Sequence, residues 1–179
     1  DLADAAGAEL HVVRELAACA RTACGDRSII IVAENEPQDS DLVRPVDLGG
    51  AGLDGLWNDD FHHSAIAALT GHREAYYSDY RGRAQEFVAA ARHGFLYQGQ
   101  HYKWQGKRRG APTTGVPAHA FVAFIENHDQ VANAACSRRT SRVSHPGAHR
   151  ALTSLLLLGP WTPLLFQGQE WATARPFPF

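Results

Sequence analysis

Two carboxylic acids in this chain stand where chemistry is commonly done. Glu34 directly follows the β-branched run 28–33 (Ser-Ile-Ile-Ile-Val-Ala), and Asp129 follows the apolar run 120–125 (Ala-Phe-Val-Ala-Phe-Ile), flanked by Asn127 and His128. A residue at the end of a buried strand has a rigid backbone, and its side chain projects into whatever site the strand ends share. A carboxyl group held there and partly withdrawn from water can serve as a general acid. Two carboxyl groups facing one pocket are the minimum for hydrolysis of a glycosidic bond. An acid after a strand also serves simply to cap a helix or turn the chain, and position alone leaves both readings open.

A third polar cluster, Asn58-Asp59-Asp60-Phe61-His62-His63, follows the short apolar segment 53–57. Its aspartates and histidines invite a metal reading, but adjacent histidines point in different directions and seldom chelate one ion together. Hydrogen bonding to a polyhydroxylated substrate is the better expectation, because Asn, Asp and His supply both donors and acceptors. A fourth cluster, Gln167-Gly168-Gln169-Glu170, follows the run 163–166. Aromatics lie near these clusters (Trp57, Phe61, Tyr76, Tyr77, Tyr80, Trp104, Phe166, Trp171) and could stack on the apolar face of a sugar ring, although most such residues serve core packing. The basic run Lys103, Lys107, Arg108, Arg109 reads as a solvated loop.

The elements that position these clusters follow from periodicity. Leu2, Ala6, Leu10, Val13, Ala17 and Ala20 recur at helical spacing, and further helices are expected over 64–69, 84–96 and 149–158. The strands are expected at 28–33, apolar on both faces like a buried parallel strand, then at 53–57, 120–125 and 163–166. Alternating strands and helices imply parallel pairing with the loops at the carboxyl ends gathered into one site. Four such strands make half of an eight-stranded barrel. The segment 99–117, rich in Gly, Lys and Arg, reads as a long excursion.

Composition sets the outer bounds. Of 179 residues, 45% are hydrophobic and 20% charged, which excludes wholesale disorder. Lys plus Arg number 17 against 19 Asp plus Glu, so no basic field is available for nucleic acid or a membrane surface. The longest apolar run is broken by Gly159, Pro160, Thr162 and Pro163, short of a membrane span. The cysteines Cys19, Cys24 and Cys136 cannot all pair within one chain and read as free thiols of a reducing, cytoplasmic protein. The chain starts at Asp1 without a secretory leader and contains no methionine, so one domain truncated at both ends is expected over 1–179.

The motifs also carry a resemblance. Ile31-Val32-Ala33-Glu34 resembles the strand-five motif of the alpha-amylase superfamily, and Phe124-Ile125-Glu126-Asn127-His128-Asp129-Gln130 its strand-seven motif. Ala33-Glu34-Asn35-Glu36-Pro37-Gln38, Trp57-Asn58-Asp59-Asp60-Phe61-His62-His63-Ser64 and Pro163-Leu164-Leu165-Phe166-Gln167-Gly168-Gln169-Glu170-Trp171 are similar to the maltooligosyltrehalose trehalohydrolases. The resemblance runs over nearly the whole chain in the expected order. It implies an α/β fold, the C-terminal half (about strands five to eight) of an incomplete TIM-type (β/α)8 barrel. It implies a retaining glycoside hydrolase of trehalose biosynthesis acting on maltooligosyltrehalose or α-glucan oligosaccharides, without metal or cofactor, partnered by the missing half of its own barrel; the alternatives are another enzyme of the superfamily, such as a branching enzyme or amylase, and a non-catalytic sugar-binding remnant. Glu34 would be the general acid/base and Asp129 the transition-state stabiliser; Asn58, Asp59, Asp60, Phe61, His62, His128, Gln130 and Asn133 would line substrate subsites. The family's nucleophile motif, of the type Phe-Arg-Leu-Asp-Ala, does not occur here; Asp1 and Asp4 do not match it. The isolated chain is therefore expected to be inert.

Overall fold

A computed structural model of the chain describes residues 11–178. The expected helix positions Leu2, Ala6 and Leu10, and the acids Asp1 and Asp4, lie outside the described residues. In order, the elements are α1 (Val12–Cys24), β1 (Val32–Ala33), β2 (Gly55–Asn58), α2 (Asp59–Thr70), α3 (Ala84–His93), β3 (His101–Tyr102), β4 (Lys107–Arg108), β5 (Phe121–Phe124), α4 (His128–Asn133), α5 (Thr140–Val143), α6 (Pro146–Leu158) and β6 (Thr162–Leu164). The main sheet runs β1-β2-β5-β6, every neighbour parallel, with Leu56 opposite Phe121 and Val122 opposite Thr162. Strand order thus follows chain order, and the carboxyl ends of all four strands lie on one side. The excursion 99–117 folds β3 and β4 into a small antiparallel hairpin. No helix among the described residues is long and apolar enough to cross a membrane.

The core forms where helices α2, α3 and α6 cover the sheet. Leu56, Phe121, Ala123 and Ile125 from the strands pack with Phe61 and Ala65 of α2, Ala90 of α3, Leu156 of α6, and the loop residues Phe95 and Trp161. Gly94 lets α3 end against this layer: its φ is +75°, and a Cβ there would lie 2.4 Å from the Phe121 ring. Helix α1 is fastened to the sheet by Arg21, which donates to both carboxylate oxygens of Asp54 and to the Gly52 carbonyl. Asp54 in turn accepts from the Ile31 amide just before β1.

Two expectations are corrected. The run 28–33 is not a strand buried on both faces: only Val32–Ala33 pair, at the sheet's edge, and Ile30 is 78% exposed and Val32 40%. In this chain β1 has a neighbour on one side only, which leaves the run uncovered there. The second helix begins at Asp59, five residues before the expected start at residue 64, because the Asn58 side chain accepts from the Phe61 amide and caps it. The cluster taken for a post-strand loop is therefore the first turns of α2.

Candidate active site

Three adjacent parallel strands each deliver a carboxylate to one cavity. Glu34 follows β1, Asp59 opens α2 directly after β2, and Asp129 lies in the first turn of α4 after β5. All three line a cavity of about 460 Å³, together with Glu36, His63, Tyr76, Tyr102, Trp104, Gln105, Arg109, Gln130 and Asn133. A larger cleft of about 1050 Å³, between α1 and the β1 loop, also touches Glu34 and Glu36 but is walled by Leu16, Ala17, Ile31 and other apolar side chains and reaches neither Asp59 nor Asp129. The smaller cavity is the one equipped for acid–base chemistry.

Asp129 is placed by Asn127, whose side-chain oxygen accepts from the amides of Asp129 and Gln130. His128 Nε2 lies 3.4 Å from the Asp129 carboxylate, and its ring stands edge-on to Trp57. Asn133 donates to the Asp129 carbonyl, and the side-chain oxygen of Gln130 is buried without a protein partner. Gln130, Asn133 and Asp59 reach the cavity wall, as the sequence leads one to expect, while His128 sits beside Asp129 at its margin.

Four of the expected subsite residues do not reach it. Asn58 is fully buried, its amide donating to the Gly94 carbonyl while its oxygen caps α2. Asp60 is buried and accepts from the Tyr80 hydroxyl and the Leu96 and Tyr97 amides. Phe61 belongs to the core, tilted against Trp161. His62 is fully buried, with Nδ1 2.6 Å from the Ile125 carbonyl and Nε2 3.2 Å from the Tyr77 hydroxyl. Nδ1 therefore donates to the carbonyl and Nε2 accepts from Tyr77, and burial pushes the imidazole down to about 4, so it is neutral. These side chains brace the site from behind, because the strand hands over to a helix whose inward face they occupy.

The floor of the cavity is Arg109, read from the sequence as part of a solvated loop and in fact only 2% exposed. Its Nη1 is 2.5 Å from Glu36, its Nη2 3.8 Å from Asp59 and its Nε 3.5 Å from Asp60. Glu36 also accepts from Gln105, and the Tyr102 ring lies against the guanidinium. The excursion delivers this arginine: the Gly110 amide donates to the Pro37 carbonyl, and Ser40 and Arg44 donate to the Pro112 carbonyl. Asp59 shares the one guanidinium with two other acids. Burial, helped by Asp60, Glu34 and Glu36 and opposed by Arg109, raises it to about 7. The cavity thus contains a carboxyl group that holds its proton far more tightly than a free aspartate does.

Sequence reasoning missed Glu36, Tyr102, Gln105 and Arg109 as cavity residues, and named His63 only within the cluster 58–63. Helical spacing would have found His63, one turn after Asp59 on the same face; nothing local marks Arg109. The cluster after β6 does not join the cavity: Glu170 accepts from the Gly168 amide, Gln169 from the Phe166 amide, and the Gln167 carbonyl from Arg139.

Parallel strands that place acids from successive carboxyl ends into one cavity form an α/β arrangement of the kind in which strand-end loops build a site. The structural comparison agrees: a Salmonella typhimurium crystal structure described as an alpha amylase superposes with a TM-score of 0.87 at 36% identity, over 97% of this chain and 30% of that one. In sequence the chain is similar to malto-oligosyltrehalose trehalohydrolases, at 39% identity to that of Deinococcus radiodurans (96% of this chain), 36% to that of Arthrobacter ramosus (95%) and 33% to that of Saccharolobus solfataricus (83%). It spans 28%, 30% and 26% of those relatives' lengths, respectively. No protein-family profile matches the chain.

Proposed function

We propose that this chain is the acid/base half of a cytoplasmic retaining glycosidase that cleaves the α-1,4 bond next to the terminal trehalose of maltooligosyltrehalose. The observation that carries the reading is the convergence of Glu34 and Asp129, from two strands separated by β2, on one cavity. In this reading Glu34 protonates the departing glycosidic oxygen and then takes the proton of the attacking water. Asp129, with His128 beside it, binds sugar hydroxyls and stabilises the positive charge that develops on the ring. Gln130 and Asn133 hold the neighbouring sugar, and Trp104 and Tyr76 offer it aromatic faces. The four parallel strands are strands five to eight of a barrel whose other half, in a longer chain, supplies the nucleophilic carboxylate. On its own the chain releases no trehalose.

A chimera tests the proposal: this chain replaces the matching segment of the Deinococcus radiodurans trehalohydrolase, and trehalose release from maltooligosyltrehalose is measured. Release by the chimera, lost by at least about a hundredfold in Glu34→Gln as expected for removal of a general acid, supports the assignment. A folded chimera that releases only maltooligosaccharides favours the plain α-1,4 hydrolysis suggested by the Salmonella structure's description.

A further inference from the structure

Asp129, Gln130 and Asn133 reach the cavity from a single loop, and that loop is closed at its base by a buried ion pair that the proposed chemistry does not use. Glu126 stands two residues past β5 and Arg139 immediately before α5, and they are 3% and 4% exposed. Glu126 Oε1 lies 3.5 Å from Arg139 Nη1, while its Oε2 accepts from the Thr140 amide at 2.8 Å. One carboxylate therefore joins the two ends of the stretch 127–139. Arg139 is held from outside the loop as well: Nη1 donates to the Gln167 carbonyl, Nε donates to the Arg175 carbonyl, and the guanidinium lies over the Phe166 ring. Within the loop, Cys136 and Ser137 both have left-handed φ, +59° and +49°. Two adjacent non-glycine residues in that region persist only where the surrounding structure holds them there.

From this arrangement we infer that Glu126 is a positioning residue: paired with Arg139, it closes the loop 127–139 and so fixes the pose in which α4 presents Asp129 to the cavity. The inference rests on the glycosidase reading and adds to it the group that holds the charge-stabilising acid in place. Glu126 is not part of the cavity wall, so it acts through the backbone of the loop. The helix that carries Asp129 has only six residues, too short to be stable by itself, and its pose is set by its two anchors. At its start the Asn127 side chain accepts from the Asp129 and Gln130 amides, one residue along from Glu126. Past its end the left-handed turn at Cys136 and Ser137 leads directly into Arg139. A buried ion pair carries a desolvation cost that a well-packed apolar pair avoids; here the pair admits one register at the loop base, which an apolar contact would not define.

The test is a mutant cycle in the chimera with the Deinococcus radiodurans trehalohydrolase. Glu126→Gln keeps the shape and an oxygen for the Thr140 amide but removes the charge. It should lower kcat for cleavage of maltooligosyltrehalose by about ten- to a hundredfold, the scale of a displaced catalytic group. In an Asp129→Asn background the same change should alter kcat by less than about twofold, because a residue that acts through Asp129 has nothing left to place. Amide exchange in the 179-residue chain gives a reading independent of activity: Glu126→Gln should speed exchange at Asp129 and Gln130 and leave β2 and α2 unchanged. A loss of equal size in both backgrounds, full activity of Glu126→Gln, or exchange that rises everywhere or nowhere overturns the inference while the glycosidase reading stands. An unsubstituted, folded chimera that cleaves no glycosidic bond overturns the glycosidase reading and the inference with it. Should Glu126→Gln not fold, Glu126→Gln combined with Arg139→Met, which leaves no buried charge unpaired, takes its place in both measurements.

Discussion

Replacing Asp59 by Asn should make the protein more stable, by an amount that grows as the pH rises from about 4 to about 7. The carboxyl of Asp59 is raised from 3.8 to about 7 by burial and by Asp60, Glu34 and Glu36, against the pull of Arg109. A native group that holds its proton more tightly than the unfolded chain does stabilises the fold fully below the unfolded value. That contribution is lost as the pH climbs through about 7. The span between the two values, at about 1.4 kcal/mol per unit, is worth about 4 kcal/mol. Asparagine has nearly the same shape and never ionises. The variant should therefore match the parent near pH 4 and exceed it by up to about 4 kcal/mol near pH 8, the gap opening steadily between. His62, His63 and His149 titrate in the opposite sense, since burial lowers all three and acid draws them toward protonation in the unfolded chain. They are present in both proteins and drop out of the difference. Urea unfolding of both chains across this range, followed by tryptophan fluorescence, measures the gap directly. A difference that does not change with pH would refute the argument that Asp59 is ionised at a cost.

Two further outcomes follow from the cavity floor. Arg109→Met should destabilise the chain by about 3–5 kcal/mol at neutral pH, because Asp60 and Asp59 would remain buried without their cation; the loss should shrink on acidification, and urea unfolding at two pH values checks both halves of the statement. Gly110→Ala should cost at least about 2 kcal/mol and raise amide exchange throughout the hairpin, because Gly110 has a φ of +74° and a Cβ would lie 1.8 Å from the Tyr97 carbonyl oxygen.

The parallel sheet and the placement of Glu34 and Asp129 were legible in the sequence because both depend on local pattern. A short apolar run followed abruptly by polar residues marks a strand end wherever it falls in the chain. What was not legible depended on partners distant in sequence. Nothing near Asn58 says that its amide meets the carbonyl of Gly94, and nothing near Asp60 says that it accepts from Tyr80, Leu96 and Tyr97. In isolation these residues resemble ligand contacts, because a buried polar group and a substrate-binding one are drawn from the same chemical types. Arg109 is the converse case, a basic residue in a glycine-rich stretch that has the composition of a surface loop and becomes buried only through the carboxylates gathered by three other segments.

The cavity floor also constrains the order in which the molecule can assemble. β2 and α2 are contiguous, so Asp59 and Asp60 are brought together as soon as the helix nucleates, with only the Asn58 cap and the positive end of the helix dipole to hold them. Their cation arrives from a hairpin whose contact with Glu36 spans 73 residues, a closure that carries a larger entropic cost than any of the strand-to-helix steps. The acids and their cation therefore meet only once the sheet and the excursion have closed around one another. The part of the protein that tunes the acids is thus the part whose placement depends most on contacts distant in sequence.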